Sequence, residues 1–295
     1  NRKIILNLAP SDIKKIWTRF DLPMAVAILL MIYDGDIDES QIAESIFLWE
    51  LWLDGSVKKI NWILPSVISA LSMWYKDFFV PAENLYELRY IKWINIYPLE
   101  NFKQMQRHLT KTENIEKIIW WDFDLDIASK NPYEMDFEDI KWHLFAKRAL
   151  SIAAAGLHNV LMVWAPWCWK TILAKAVSWI LPPLDFDEIL EVSQIYSLVW
   201  KLDKENPLIT KRPFRAIHHT ASKVSIIWWW ANLTPWEISM AHKWILFFDE
   251  LPEFPSQVLE VLRQPLEDKK ITISRAHGSV NYPSQFMFVW AMNPC

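Results

Sequence analysis

The chain has 295 residues, 52% hydrophobic and 22% charged, enough for one large or two ordinary domains and incompatible with a disordered chain. A formal net charge of −4 gives no bulk basic field, so any nucleic-acid contact has to come from a local patch. Two cysteines far apart give no disulfide framework and imply a reducing compartment, and the longest apolar run (23–33) is too short for a bilayer, so a cytoplasmic protein with no membrane partner is expected.

In chain order, "KIILNL" (3–8) alternates as a strand and 22–33 reads as a buried helix. "FLWELWLDGSVKKI" (47–60) reads as a hairpin turning near Asp54-Gly55, and "DFFV" (77–80) as a further strand. "LENFKQMQRHL" (99–109) has the pattern of an amphipathic helix. Together these outline a small α/β domain over 1–109. The polar stretch 110–135 reads as a linker, and 136–295 as a second domain. With no initiator Met and an end at "MNPC", the chain is expected to be cut from a longer protein.

The second domain opens its chemistry at "LMVWAPWCWKTILAK" (161–175). "NVLMV" (159–163) reads as a strand and the segment from Lys170 as a helix. The turn between them has the outline of a phosphate loop, but Trp164, Trp167 and Trp169 stand where such a loop needs glycine. With glycine there, Trp164-Ala165-Pro166-Trp167-Cys168-Trp169-Lys170-Thr171 becomes G-A-P-G-C-G-K-T and satisfies G-x-x-x-x-G-K-[ST]. Successive amides would then turn inward as an anion nest, helped by the positive end of the following helix. Lys170 would reach the β/γ-phosphates of ATP, and the Thr171 hydroxyl would serve Mg²⁺.

Downstream, "WILFFDELPEF" (244–254) reads as a buried strand delivering Asp249 and Glu250. Asp249 is expected to hold Mg²⁺ through water, and Glu250 to polarise the attacking water. "SQVLEVLRQPLE" (256–267) reads as a core helix. "DKKITISRAHGSVNYP" (268–283) reads as a hairpin about His277-Gly278 whose Lys269, Lys270 and Arg275 are candidates for DNA contact. "FMFVWAM" (286–292) is a third strand, delivering Asn293 as a sensor of the γ-phosphate. Adjacent His218 and His219 lack further ligands for a metal. Arg212 and Arg215 are expected to face a neighbouring subunit or DNA.

The chain has 4 glycines and 20 tryptophans, whereas average usage gives glycine roughly 7% of residues. Trp228-Trp229-Trp230, Trp236 after Pro235, Trp62 before "ILP" and Trp179 before "LPP" stand where turns or helix ends favour glycine. The reading is that UGA codons meaning glycine have been rendered as tryptophan.

These motifs resemble the magnesium-chelatase-like AAA+ ATPases of the ComM/YifB group. Further stretches carry the resemblance: "NLAPSDIKKIWTRFDLPMA" (7–25), "VPAEN" (80–84), "DFEDIKWHLFAKRAL" (136–150) and "AMNPC" (291–295). That family has glycine at nearly every position where tryptophan stands here; Trp120 and Trp121 cannot be compared, and Ile217 replaces a usual proline. The resemblance implies an α/β P-loop AAA+ domain with a parallel sheet, behind a smaller Lon-protease-like, S5-type domain. It also implies a homo-hexameric ATP-hydrolysing motor on DNA. A chelatase-type ATPase driving a partner protein, or a nucleotide-regulated assembly protein, are the alternatives. Met24 in "DLPMA" stands where the Lon-like fold places its nucleophilic serine, and the matching lysine near "NWILP" is missing, so no peptidase activity is expected.

Overall fold

The structure is a computed structural model that describes residue 5 and residues 21–33, 37–119, 136–164, 170–199, 201–212, 214–217, 237–275 and 278–294. "KIILNL", residues 165–169, the His218-His219 pair and Trp228–Trp230 with Trp236 lie outside the described residues. The chain divides into two compact units: residues 1–123 with 200–207, and residues 124–199 with 208–295.

In the first unit, the helix Asp21–Ile32 buries Leu22, Val26 and Leu29, one stripe at helical spacing. Met31 and Ile32 are exposed, so the segment is buried on one face only. Six short strands follow: β1 (Ser45–Phe47), β2 (Glu50–Leu51), β3 (Val57–Lys58), β4 (Asp77–Pro81), β5 (Asn95–Leu99) and β6 (Ile118–Ile119). β2 and β3 pair antiparallel across a turn where Gly55 takes φ +82°, a conformation glycine adopts freely. The main sheet runs β1-β4-β5-β6, parallel except for the last pair. β6 falls within the stretch read as linker: the chain makes another edge strand after residue 110.

Phe79 on β4 centres this unit's core, its ring stacked between Phe47 (4.9 Å) and Tyr97 (4.6 Å). The helix Phe102–Leu109 starts where the Asn101 side chain accepts from Gln104 N at 3.0 Å, an N-cap that ends the extended chain. Met24 sits in the helix Asp21–Ile32 and offers a thioether where a nucleophile would need a hydroxyl. Lys59 donates to the Tyr86 hydroxyl.

The second unit is built on four parallel strands, β7 (Val160–Val163), β8 (Phe214–Ile217), β9 (Ile245–Phe248) and the later β12 (Met287–Met292). Between β9 and β12 a hairpin is formed by β10 (Lys270–Arg275) and β11 (Gly278–Pro283). The sheet order is β7-β12-β9-β8. All four residues of β9 are buried, as a two-sided parallel strand requires. The helices Leu144–Gly156 and Lys170–Ile180 bury Leu150, Leu173 and Val177 with Phe247 and Val289 of the sheet. A second cluster packs Val258 and Leu262, from the helix Ser256–Asp268, with Phe248 and Phe288. The hairpin pairs Arg275 with Gly278, so Gly278, expected in the turn, already belongs to β11.

Candidate nucleotide site

In open parallel α/β sheets, ligands collect beyond the carboxyl ends of the strands. Here β7, β9 and β12 end side by side, register pairs running Met292↔Val163 and Trp290↔Phe248. Those ends deliver Trp164, Asp249-Glu250 and Asn293 to one edge of the sheet. The helix Lys170–Ile180 begins at Lys170, bringing Lys170 and Thr171 to the same place.

The Lys170 ammonium donates to Asn293 Oδ1 at 2.6 Å and lies 3.5 Å from the carbonyl oxygens of Trp164 and Met292. Sequence reasoning missed both carbonyls, because backbone acceptors leave no mark in residue type. The Thr171 hydroxyl faces Asp249 Oδ2 at 3.4 Å. Glu250 N donates to Asp249 Oδ1 at 3.1 Å, with the Glu250 backbone in the left-handed region (φ +55°). β12 inserts between β7 and β9, so Asn293 emerges between the lysine helix and the acidic pair.

Of the loop residues, Ala165, Pro166, Trp167, Cys168 and Trp169 lie outside the described residues. Trp164 N donates to Met292 O at 3.2 Å. Its ring packs against the core and stands edge-on to His143 at 4.8 Å.

A hydroxyl facing a carboxylate at the mouth of a parallel sheet is an oxygen donor pair suited to a hard divalent cation. A lysine ammonium among oxygen acceptors is the counter-charge for a phosphate. The residues present therefore fit Mg²⁺ and a nucleotide triphosphate.

A family model described as magnesium chelatase, subunit ChlI, matches residues 136–295. The chain belongs to this family. A second model, subunit ChlI of Mg-chelatase, matches residues 1–84, so this ChlI-family chain carries an N-terminal ChlI domain followed by a ChlI-type AAA+ ATPase domain. It is 36% identical to Competence protein ComM of Haemophilus influenzae, over 99% of this chain and 57% of the relative. It is 35% identical to YifB of Salmonella typhimurium, over 99% of this chain and 56% of the relative. YifB of Escherichia coli is 33% identical, with the same shares covered. The chain thus spans a little over half the length of these relatives. A chain from a reconstruction of the BchI–BchD complex of magnesium chelatase aligns over 51% of this chain and 52% of its own, at 17% identity and TM-score 0.40, a likeness too loose to bear on function.

Arg212 and Arg215, expected to face a neighbouring subunit or DNA, make contacts within this ChlI-family chain. Arg212 is buried and spends its guanidinium internally, donating to Pro182 O (2.6 Å), to Lys243 O and to Glu188. Arg215 pairs with Glu237. Lys269 and Lys270 are exposed at the base of the hairpin, where Lys270 pairs with Pro283; Arg275 pairs with Gly278 at its far end. Five strand steps of about 3.3 Å separate the backbones of Lys270 and Arg275 by roughly 17 Å along the hairpin. Among the described residues, no group of three or more His, Cys, Asp or Glu could hold a metal, and no helix is long and apolar enough to cross a membrane.

Proposed function

We propose that this chain is the ATP-hydrolysing part of a ring-forming motor that acts on DNA. The observation that carries the ATPase reading is the convergence of Lys170, Thr171, Asp249 and Asn293 at one end of the parallel sheet. Lys170 binds the β/γ-phosphates, leaving Asn293 Oδ1 as it does so. Thr171 and Asp249 would hold Mg²⁺, which would supply neutralisation of the phosphate charge. Glu250 orients and polarises the attacking water, and the freed Asn293 amide reads the γ-phosphate. With no covalent intermediate needed, positioning and charge compensation supply the catalysis. A loop of this length cradles phosphate with glycine at 164, 167 and 169. The DNA reading rests on the similarity to a protein named for competence and on the cations of the hairpin, of which Arg275 stands at the end of β10.

A second reading is a chelatase-type ATPase that drives a partner protein, favoured by the matching family model. The test is phosphate release by the full-length gene product with glycine at 164, 167 and 169, alone and with single- or double-stranded DNA. Turnover stimulated by DNA and lost with Arg275→Ala supports the DNA motor. Turnover indifferent to DNA moves the assignment to the partner-driven type. ATP binding with no turnover leaves only a nucleotide-regulated assembly role, and a hexamer seen by mass photometry only with ATP distinguishes a ring from a monomer.

A further inference from the structure

The helix Ile63–Ser72 ends in a way that specifies its closing residue. Met73 is the C-cap, Trp74 N donates to Leu71 O at 3.0 Å, and Tyr75 N reaches back to Ala70 O at 3.2 Å. This pair of bonds is a Schellman motif, and its C′ position takes a left-handed backbone that glycine fills without steric cost. The residue there is Trp74, at φ +73°. Its side chain is 87% exposed, so no burial compensates for the conformation. Trp93 repeats the pattern in the turn before β5, at φ +69° and 74% exposed. For a bulky aromatic, positive φ is an outlier.

The opposite setting fails too. Trp49 and Trp244 are fully buried, yet neither indole N–H has a hydrogen-bond partner among the described residues. A buried tryptophan normally finds one. Trp142 and Trp52 stand 72% and 57% exposed. Left-handed backbone is not confined to tryptophan, since Lys111, His143, Leu157, Lys243, Glu250 and Lys269 share it. Nor does every tryptophan adopt it: Trp62 enters its helix at φ −113°. What singles tryptophan out is the conjunction of left-handed exposed sites, buried donors without acceptors, and a chain with 4 glycines and 20 tryptophans.

We infer that the natural polypeptide has glycine at positions 74 and 93, and that the other tryptophans at turns and closely packed backbone share this origin in UGA codons read as glycine. Trp74 and Trp93 lie in the first unit, far in sequence from the nucleotide loop, so the inference stands apart from the proposed activity. A protein with glycine at both positions and no ATPase would sink that activity and leave this inference intact.

The test reads the gene and the protein together. The codons for residues 74 and 93 are sequenced, and the full-length protein isolated from the cells that carry the gene is digested and analysed by tandem mass spectrometry. UGA codons with glycine in both peptides are expected. UGG codons, or peptides that retain the indole residue at 74 and 93, overturn the inference.

Discussion

Lys170 Nζ donates to Asn293 Oδ1 across 2.6 Å, although the residues are 123 positions apart in sequence. The bond joins the first turn of the helix Lys170–Ile180 to the end of β12, and it binds a cation to an acceptor that the proposed chemistry needs elsewhere. Each partner therefore has a distinct expected loss. In the chain with the glycine loop, Lys170→Ala abolishes ATP binding measured by calorimetry. Asn293→Ala retains binding and lowers turnover by about 100-fold or more, the usual cost of deleting one aimed donor at a developing charge. Equal loss of affinity in both variants would make Asn293 a mere prop for the lysine.

The acidic pair at the end of β9 divides differently. Asp249 faces the Thr171 hydroxyl, whereas Glu250 follows it in a left-handed conformation that turns the chain off the strand. Asp249→Asn is expected to raise the Mg²⁺ concentration needed for half-maximal turnover. Glu250→Gln keeps the Mg²⁺ requirement and ATP affinity but lowers turnover by roughly 10²–10⁴-fold, the range for a positioned acid–base group. A Mg²⁺ titration of phosphate release in both variants checks the assignment; interchanged phenotypes would refute it.

How legible the site was depended on the range of the interactions involved. β7, β9 and β12 were readable because each is written as a continuous apolar run, although only β9 is buried at every position and the edge strand β7 exposes Leu161 and Val163; the lysine helix was readable because it follows one of them directly. The insertion of β12 between β7 and β9, which puts Asn293 beside Lys170, is a fact of topology with no local signature. Arg212 misled for the same reason. Its polar context suggested a surface, while its actual acceptors are the carbonyls of Pro182 and Lys243, on separate segments. β6 was hidden because two residues are too short for any period. The segment 200–207 likewise groups with the first unit, where Tyr86 donates to Leu202 O at 3.2 Å, a pairing no sequence pattern announces.

Asn84, the last residue of "VPAEN", illustrates a motif whose role is architectural. It is fully buried; its Oδ1 accepts from Ile60 N at 3.0 Å, and its amide donates to Ile60 O at 2.8 Å and Glu87 Oε1 at 3.2 Å. One side chain thus satisfies both backbone groups of Ile60. Asn84→Leu keeps the volume but leaves a buried donor and acceptor bare, at about 1–3 kcal/mol for each. Urea unfolding is expected to show a lowered midpoint for the first unit, with ATP affinity unchanged. A loss below 1 kcal/mol would mean that water replaces the amide there.

His242 should make stability depend on pH. Burial pushes its imidazole below the ordinary histidine value, more than the adjacent Glu191 raises it, with Lys243 lowering it and Glu188 raising it more weakly. The ring accepts Gln285 N at Nδ1 (3.1 Å) and points Nε2 at Glu191 Oε2 (3.1 Å), so the folded state holds it neutral with the proton on Nε2. A proton added at Nδ1 would break the bond to Gln285, next to the start of β12. Because the unfolded imidazole titrates near about 6.5, the contribution is complete above that pH and is lost as pH falls through it towards the lower folded value. His108 is depressed by burial as well, so the informative quantity is the difference between two chains. Thermal midpoints from about pH 7.5 down to 5 are expected to fall more steeply for the unsubstituted chain than for His242→Gln, whose amide can serve both partners without titrating. Parallel profiles would show that His242 carries its proton in the folded state or loses nothing by gaining one.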